Sequence, residues 1–219
     1  MTETPAPSPA NTLTALALLV AVKALFAAVP TFTARDGSGL PDLGAAPRIF
    51  IANHTSHVDT LTLWACLPAD LRANTCPVAA LDYWGANAIR RHIALRGLRA
   101  VLLDRSGETP KERVLDPALA ALRAGLSLIF FPEGTRGADD TPTAFKAGLY
   151  HLARAHPRVN IIPVYLGNTR RSLPKGSLLP VPLICTARFG APFQIQSDES
   201  KDDFLDRARS LVTQLGSPA

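Results

Sequence analysis

Cysteine is scarce in this chain of 219 residues: there are three, Cys66, Cys76 and Cys185. They are odd in number and scattered, and two lie in apolar runs. That excludes a disulfide framework and points to buried thiols in a reducing compartment. None is paired in sequence with a histidine, so a cysteine nucleophile is not indicated. No G-x-S-x-G nucleophile elbow occurs either. Basic residues are missing ahead of the apolar stretch 12–32, which argues against a secretory signal there. No aromatic-basic motif or recognition helix supports nucleic-acid binding, despite an isoelectric point near 9.4.

What is present suits one folded domain. Hydrophobic residues make up 47% of the chain, enough for a full core, and the net charge is +5. That excess fits an anionic partner: a membrane surface, a phosphorylated substrate or nucleic acid. Residues 1–11 are rich in Pro, Thr and Ala and read as a disordered tip. Stretch 12–32 is almost wholly apolar, broken by Thr14, Lys23, Pro30 and Thr31. Spanning a bilayer takes about 20 apolar residues. The stretch is just long enough, but Lys23 and its many alanines weaken it. It reads as a helix packed on the domain or dipping into one leaflet, with a marginal single span as the other option. A Gly/Pro/Asp-rich connector follows over 35–47.

From there apolar runs alternate with helical patterns. Strands are expected at 48–52, 76–80, 99–104, 126–131, 160–166 and 183–189, and helices at 57–67, 83–95, 109–125, 144–155 and 200–215. Thr109, Pro110 and Glu112 form a capping box for the third of these helices, and Gly125 ends it. The alternation implies an α/β domain with a mostly parallel central sheet covered by helices on both faces. In such sheets ligands collect at the carboxyl ends of the strands. Three loops there are chemically loaded: after Ala52, around Arg105, and after Phe131.

The first of these loops is Asn53-His54-Thr55-Ser56-His57-Val58-Asp59. A histidine with an aspartate five positions on can form a base and its orienter, the carboxylate holding one ring nitrogen while the other faces a substrate. Ser56-x-x-Asp59 equally fits a helix capping box. His54-x-x-His57 hints at a metal, but no nearby Cys or third His completes a site. The other loaded loop is Phe130-Phe131-Pro132-Glu133-Gly134-Thr135-Arg136-Gly137. Gly134 permits a positive φ, Arg136 offers a planar fork for phosphate, and Glu133 could orient that arginine or meet a substrate hydroxyl. A turn carrying a surface Glu–Arg pair is the plainer alternative.

The two blocks, about 80 residues apart with an α/β alternation between them, resemble the signature blocks of the glycerolipid acyltransferases, the lysophosphatidic acid acyltransferase family. The run from Gly97 to Asp104-Arg105 looks similar to a third block of that family, and Ile162-Pro163-Val164 and Phe145-Lys146-x-Gly148 are weaker matches. Gly137 stands where a serine is common, and the stretch ahead of the first block leaves room for one helix or a short helical pair. The resemblance covers about 48–164. It implies an acyltransferase domain over 35–219 behind a membrane-associated helix in 1–34. It also implies transfer of an acyl group from a thioester to 1-acyl-glycerol 3-phosphate. His54 would be the base and Asp59 its brace, with no metal and no cofactor beyond acyl-CoA or acyl carrier protein as co-substrate. Arg136 and Arg105 would bind the acceptor phosphate, Lys146 less strongly, with Glu133, Gly134 and Thr135 shaping the pocket. The membrane surface is the implied partner and the cytoplasmic face of the cell membrane the implied location. Arg90, Arg91, Arg170, Arg171 and Lys175 are candidate lipid contacts, and Tyr83-Trp84 could line the acyl path. Other acceptors remain open at this stage: a different lysophospholipid, glycerol 3-phosphate or an aminoacyl lipid. So does a non-catalytic adaptor for anionic lipid.

Overall fold

The computed structural model describes residues 9–26, 29–32, 46–172, 181 and 183–217. Residues 1–8 of the expected disordered tip, most of the 35–47 connector and Lys175 lie outside them, while residues 9–11 of that tip are helical and open the first helix. The chain opens with helix α1 (Pro9–Phe26) and strand β1 (Val29–Phe32), then β2 (Arg48–Ala52), α2 (Asp59–Cys66), α3 (Ala69–Ala73) and β3 (Thr75–Ala80). Next come α4 (Leu81–Trp84), α5 (Ala88–His92), a π turn at Ile93–Gly97 and β4 (Val101–Leu103). A 3₁₀ turn (Lys111–Arg113) leads into α6 (Asp116–Arg123) and β5 (Ser127–Phe130). The rest is α7 (Gly148–Ala155), β6 (Asn160–Gly167), α8 (Thr169–Ser172), β7 (Thr186–Phe189) and α9 (Lys201–Gly216).

The seven strands form one sheet in the order β1-β7-β6-β2-β5-β3-β4. Every pairing is parallel except β6 with β7. Because a strand's side chains alternate, Ile49 and Ile51 face one side of β2 while Phe50 and Ala52 face the other. The first side packs under α6, α7 and α9. The second packs under α2, the π turn and α1. The sheet is therefore mostly parallel and covered on both faces, as the alternation implies. β2 lies at the middle, and the chain places β5 on one side of it and β6 on the other. The loops after β2 and β5 open side by side at this point.

Several expected helices are cut shorter, the 144–155 helix beginning only at Gly148. Residues 12–32 do not form one helix: the helix stops at Phe26, and Val29–Phe32 becomes an edge strand paired with β7. Pro30 lacks the N–H a helix interior needs and is tolerated at a sheet edge. The 83–95 helix is broken, because Asn87 accepts a hydrogen bond from Arg90 N–H and starts α5 anew. The 109–125 helix begins late, at Asp116 followed by Pro117. Thr109 does not cap it; its hydroxyl donates to Asp104 Oδ2 at 2.7 Å. Gly125 does end it, at φ +80°. Among the described residues, no helix is long and apolar enough to cross a membrane.

Candidate active site

Asn53 leaves β2 fully buried. Its amide donates to the Leu166 carbonyl at 3.1 Å, and its carbonyl accepts from Leu166 N–H at 2.7 Å. That two-way bridge fixes the start of the loop against β6. His54 follows. Its Nδ1 lies 2.8 Å from Asp59 Oδ2. The same oxygen accepts the backbone N–H groups of Thr55 at 2.6 Å and Ser56 at 2.7 Å. Asp59 thus folds the loop back on itself, as a capping carboxylate does, while holding the imidazole. It is fully buried. Its other oxygen is buried with no hydrogen-bond partner. Nδ1–H points at a carboxylate, so Nε2 is the nitrogen left with a lone pair, the tautomer a general base requires. The ring is 22% exposed and stacks on Phe131, with centroids 4.3 Å apart.

Glu133 is the second buried acid. Oε1 accepts His54 N–H at 2.7 Å, and Oε2 accepts the Thr143 N–H at 2.9 Å and hydroxyl at 2.7 Å. It neither pairs with Arg136 nor lines the cavity; it welds the loop after β5 to the loop after β2. Gly137 N–H closes the weld by donating to the His54 carbonyl at 2.8 Å. His54 is thereby clamped at both backbone groups by residues of the other block.

A cavity of about 750 Å³ opens at the carboxyl ends of β3, β4 and β5. His54, His57, Arg105, Gly134, Thr135, Arg136 and Lys146 line it, so the three loaded loops do converge. Tyr83 and Trp84 line it too, and so do Lys111 and His151, neither of which stood out in the sequence. Gly134 has φ +70°, and an added Cβ would sit 2.9 Å from Lys146 Nζ. The positive φ is what favours glycine there, since the flexible end of Lys146 could move aside. Arg105 donates to the Gly134 carbonyl at 2.6 Å and pairs with Asp82 at 3.2 Å. No carboxylate among the described residues pairs with Arg136, Lys111 or Lys146. His57 stacks on Tyr83 with centroids 4.8 Å apart, and the Arg90 guanidinium lies 4.5 Å over the same phenol. Burial pushes the His57 pKa below its ordinary value, and the positive charge of Arg136 adds to this. Of the other basic candidates for a lipid surface, Arg170 pairs with Asp140 at 3.3 Å.

An imidazole held by a buried carboxylate, opening on a cavity lined by unpaired cations, fits the family whose blocks the sequence resembles. A family model described as "Acyltransferase" matches residues 34–167. The chain belongs to the acyltransferase family. Curated relatives include 1-acyl-sn-glycerol-3-phosphate acyltransferases from Cocos nucifera and from Saccharomyces cerevisiae. The first is 28% identical over 76% of this chain and 52% of its own, and the second 32% identical over 60% and 42%. The chain spans about half the length of these relatives. The fold matches the crystal structure of the 1-acyl-sn-glycerophosphate acyltransferase PlsC from Thermotoga maritima. That match has a TM-score of 0.70 at 21% identity and covers 93% of this chain and 77% of that one.

Proposed function

We propose that this acyltransferase moves a fatty acyl group from an acyl thioester to the free hydroxyl of 1-acyl-glycerol 3-phosphate, making phosphatidic acid for phospholipid biosynthesis. One observation carries the reading: the imidazole of His54, braced at 2.8 Å by Asp59, opens into the same cavity as the unpaired guanidinium of Arg136. A glycerol phosphate carries its phosphate close to its hydroxyl, so an anchor for one must stand close to a base for the other. His54 Nε2 takes the proton from the hydroxyl, and the oxygen attacks the thioester carbonyl. The tetrahedral intermediate then expels the thiolate, which recovers the proton from the imidazolium. Asp59 stabilises that imidazolium. A positioned base of this kind contributes about 10²–10⁴-fold in rate. The N–H groups of Thr55 and Ser56 are already spent on Asp59, so any oxyanion donor lies further along the loop or at the start of α2. Arg136 and Arg105 hold the phosphate, with Lys146 lying across Gly134 beside them.

The acyl chains come from a bilayer, and the reading puts the chain on the cytoplasmic face of the cell membrane. α1 turns Val22 inward and leaves Leu13, Leu16 and Val20 exposed, an apolar surface free to meet lipid. Exposed Arg90 and Arg91 add attraction to anionic headgroups, about 1 kcal/mol for each basic residue near the surface.

The test is an assay of the purified chain with acyl-CoA or acyl carrier protein. The acceptors are 1-acyl-glycerol 3-phosphate, a second lysophospholipid and glycerol 3-phosphate, with products read by mass spectrometry. Phosphatidic acid should dominate, and Arg136→Ala should raise the acceptor KM by roughly tenfold or more. Equal turnover of all acceptors, or an unmoved KM in Arg136→Ala, would contradict the acceptor assignment. Liposome binding with no turnover on any acceptor would favour the adaptor reading.

A further inference from the structure

The cavity carries more positive charge than one phosphate uses. Arg105, Lys111, Arg136 and Lys146 line it against a single carboxylate, Asp82, an excess of three charges. A phosphate monoester carries about two negative charges at neutral pH. One positive charge is left over, and a solvent-open cleft that keeps such an excess attracts a second anion.

The cations also enter the cavity from different strands. Arg136 belongs to the loop after β5, the strand next to β2, and its charge acts directly on His57. Arg105 and Lys111 both belong to the connection after β4, the edge strand, but Arg105 reaches back to the Gly134 carbonyl in the loop after β5 at 2.6 Å, which Lys111 does not. Three strand spacings separate β4 from β2, about 14 Å. That connection is held in shape. Asp104 accepts Ser106 N–H at 2.8 Å and the Thr109 hydroxyl at 2.7 Å, bracing the path from Arg105 to Lys111. Lys111 is exposed and lines the cavity from this edge-strand connection.

The two substrates of the transfer differ in where their phosphates fall. In the acceptor, phosphate and hydroxyl sit on neighbouring carbons of one glycerol. In a pantetheine thioester, an extended two-amide arm separates the reacting sulfur from the phosphate. A cation beside the base therefore suits the acceptor, and a cation at the far rim suits the donor. We propose that Lys111 anchors the phosphate of a phosphopantetheine-type thioester, the chemistry shared by acyl-coenzyme A and acyl carrier protein. This rests on the acyl-transfer reading above and adds to it a second, donor-side anion site.

Steady-state kinetics of the full chain with three donors of one chain length tests the assignment. The donors are hexadecanoyl-CoA, hexadecanoyl carrier protein and the phosphate-free thioester hexadecanoyl-N-acetylcysteamine. Lys111→Ala should raise the donor KM roughly tenfold for donors that carry the phosphate. Lys111→Arg should restore it, and the phosphate-free thioester should show no such gap. A defect confined to one phosphate-bearing donor supports the site and identifies which donor uses it. Equal defects on all three donors, a rise in acceptor KM in place of donor KM, or no defect at all would overturn the assignment. A wild-type chain inactive with every donor would defeat the acyl-transfer reading and this inference with it.

Discussion

One oxygen of Asp59 serves structure and chemistry together. It takes two backbone N–H groups of the loop and holds the His54 ring at 2.8 Å; Ser56 does not cap the helix, whose N-cap is Val58, so only the reaching-back half of the capping pattern forms, on the same oxygen that holds the imidazole. Glu133 was far less legible. Its partners are the backbone of His54, 79 positions away, and Thr143, and a backbone partner leaves no trace in residue identity. His57 offers a clean test at this scale. Its pKa is lowered by burial first and by Arg136 second, then by His54 and Arg90, against an opposing pull from Asp59. Arg136→Gln should therefore raise the His57 pKa, yet leave it below 6.5 because burial persists. A titration of the ring protons by NMR would show it, and an unchanged pKa would place Arg136 away from the cavity. The sign for stability follows. The neutral ring suits the folded state, so this contribution is intact above pH 6.5 and is lost as the pH falls below it.

At the scale of elements, strands were easier to read than helices. The runs at 48–52, 126–131 and 160–166 are continuous and apolar because both faces of the sheet are covered. Helices fail to extend where a local polar contact outcompetes the pattern: Asn87 restarting α5, or Asp104 taking the Thr109 hydroxyl. The Asp-Pro step at 116–117 was a readable start signal for α6 that the earlier Thr-Pro step obscured. The last helix is secured by a clasp. Arg207 grips both oxygens of Glu199 at 2.6 Å and lies 4.8 Å over Phe193. Arg207→Ala should cost about 1–3 kcal/mol, lowering Tm by roughly 3–10 °C at neutral pH. Hydrogen bonding to Arg207 is the main reason the Glu199 carboxyl titrates below its ordinary value. The clasp's contribution is thus intact above the ordinary glutamate range and fades as the pH falls through it. The Tm gap between wild type and Arg207→Ala should narrow on acidification, and a gap that widens would contradict this.

For the whole molecule, the sheet order explains why residues so far apart in sequence meet. β2 sits between β5 and β6, so the loop bearing His54 opens beside the loop bearing Arg136, and β3 and β4 extend the cavity to one edge. The α/β alternation carried that much, because parallel strands put their loaded loops at one end. It did not carry β1, which lay hidden in an apolar stretch that reads equally as helix, nor Lys111, an ordinary surface lysine until the topology puts it on the cavity rim. The central claim concerns the imidazole. The most direct measurement is the rate of phosphatidic acid formation by His54→Ala beside wild type, with Tm recorded for both. A loss of at least about a hundredfold in kcat with Tm little changed is expected. A folded His54→Ala chain that keeps near-wild-type kcat would contradict it.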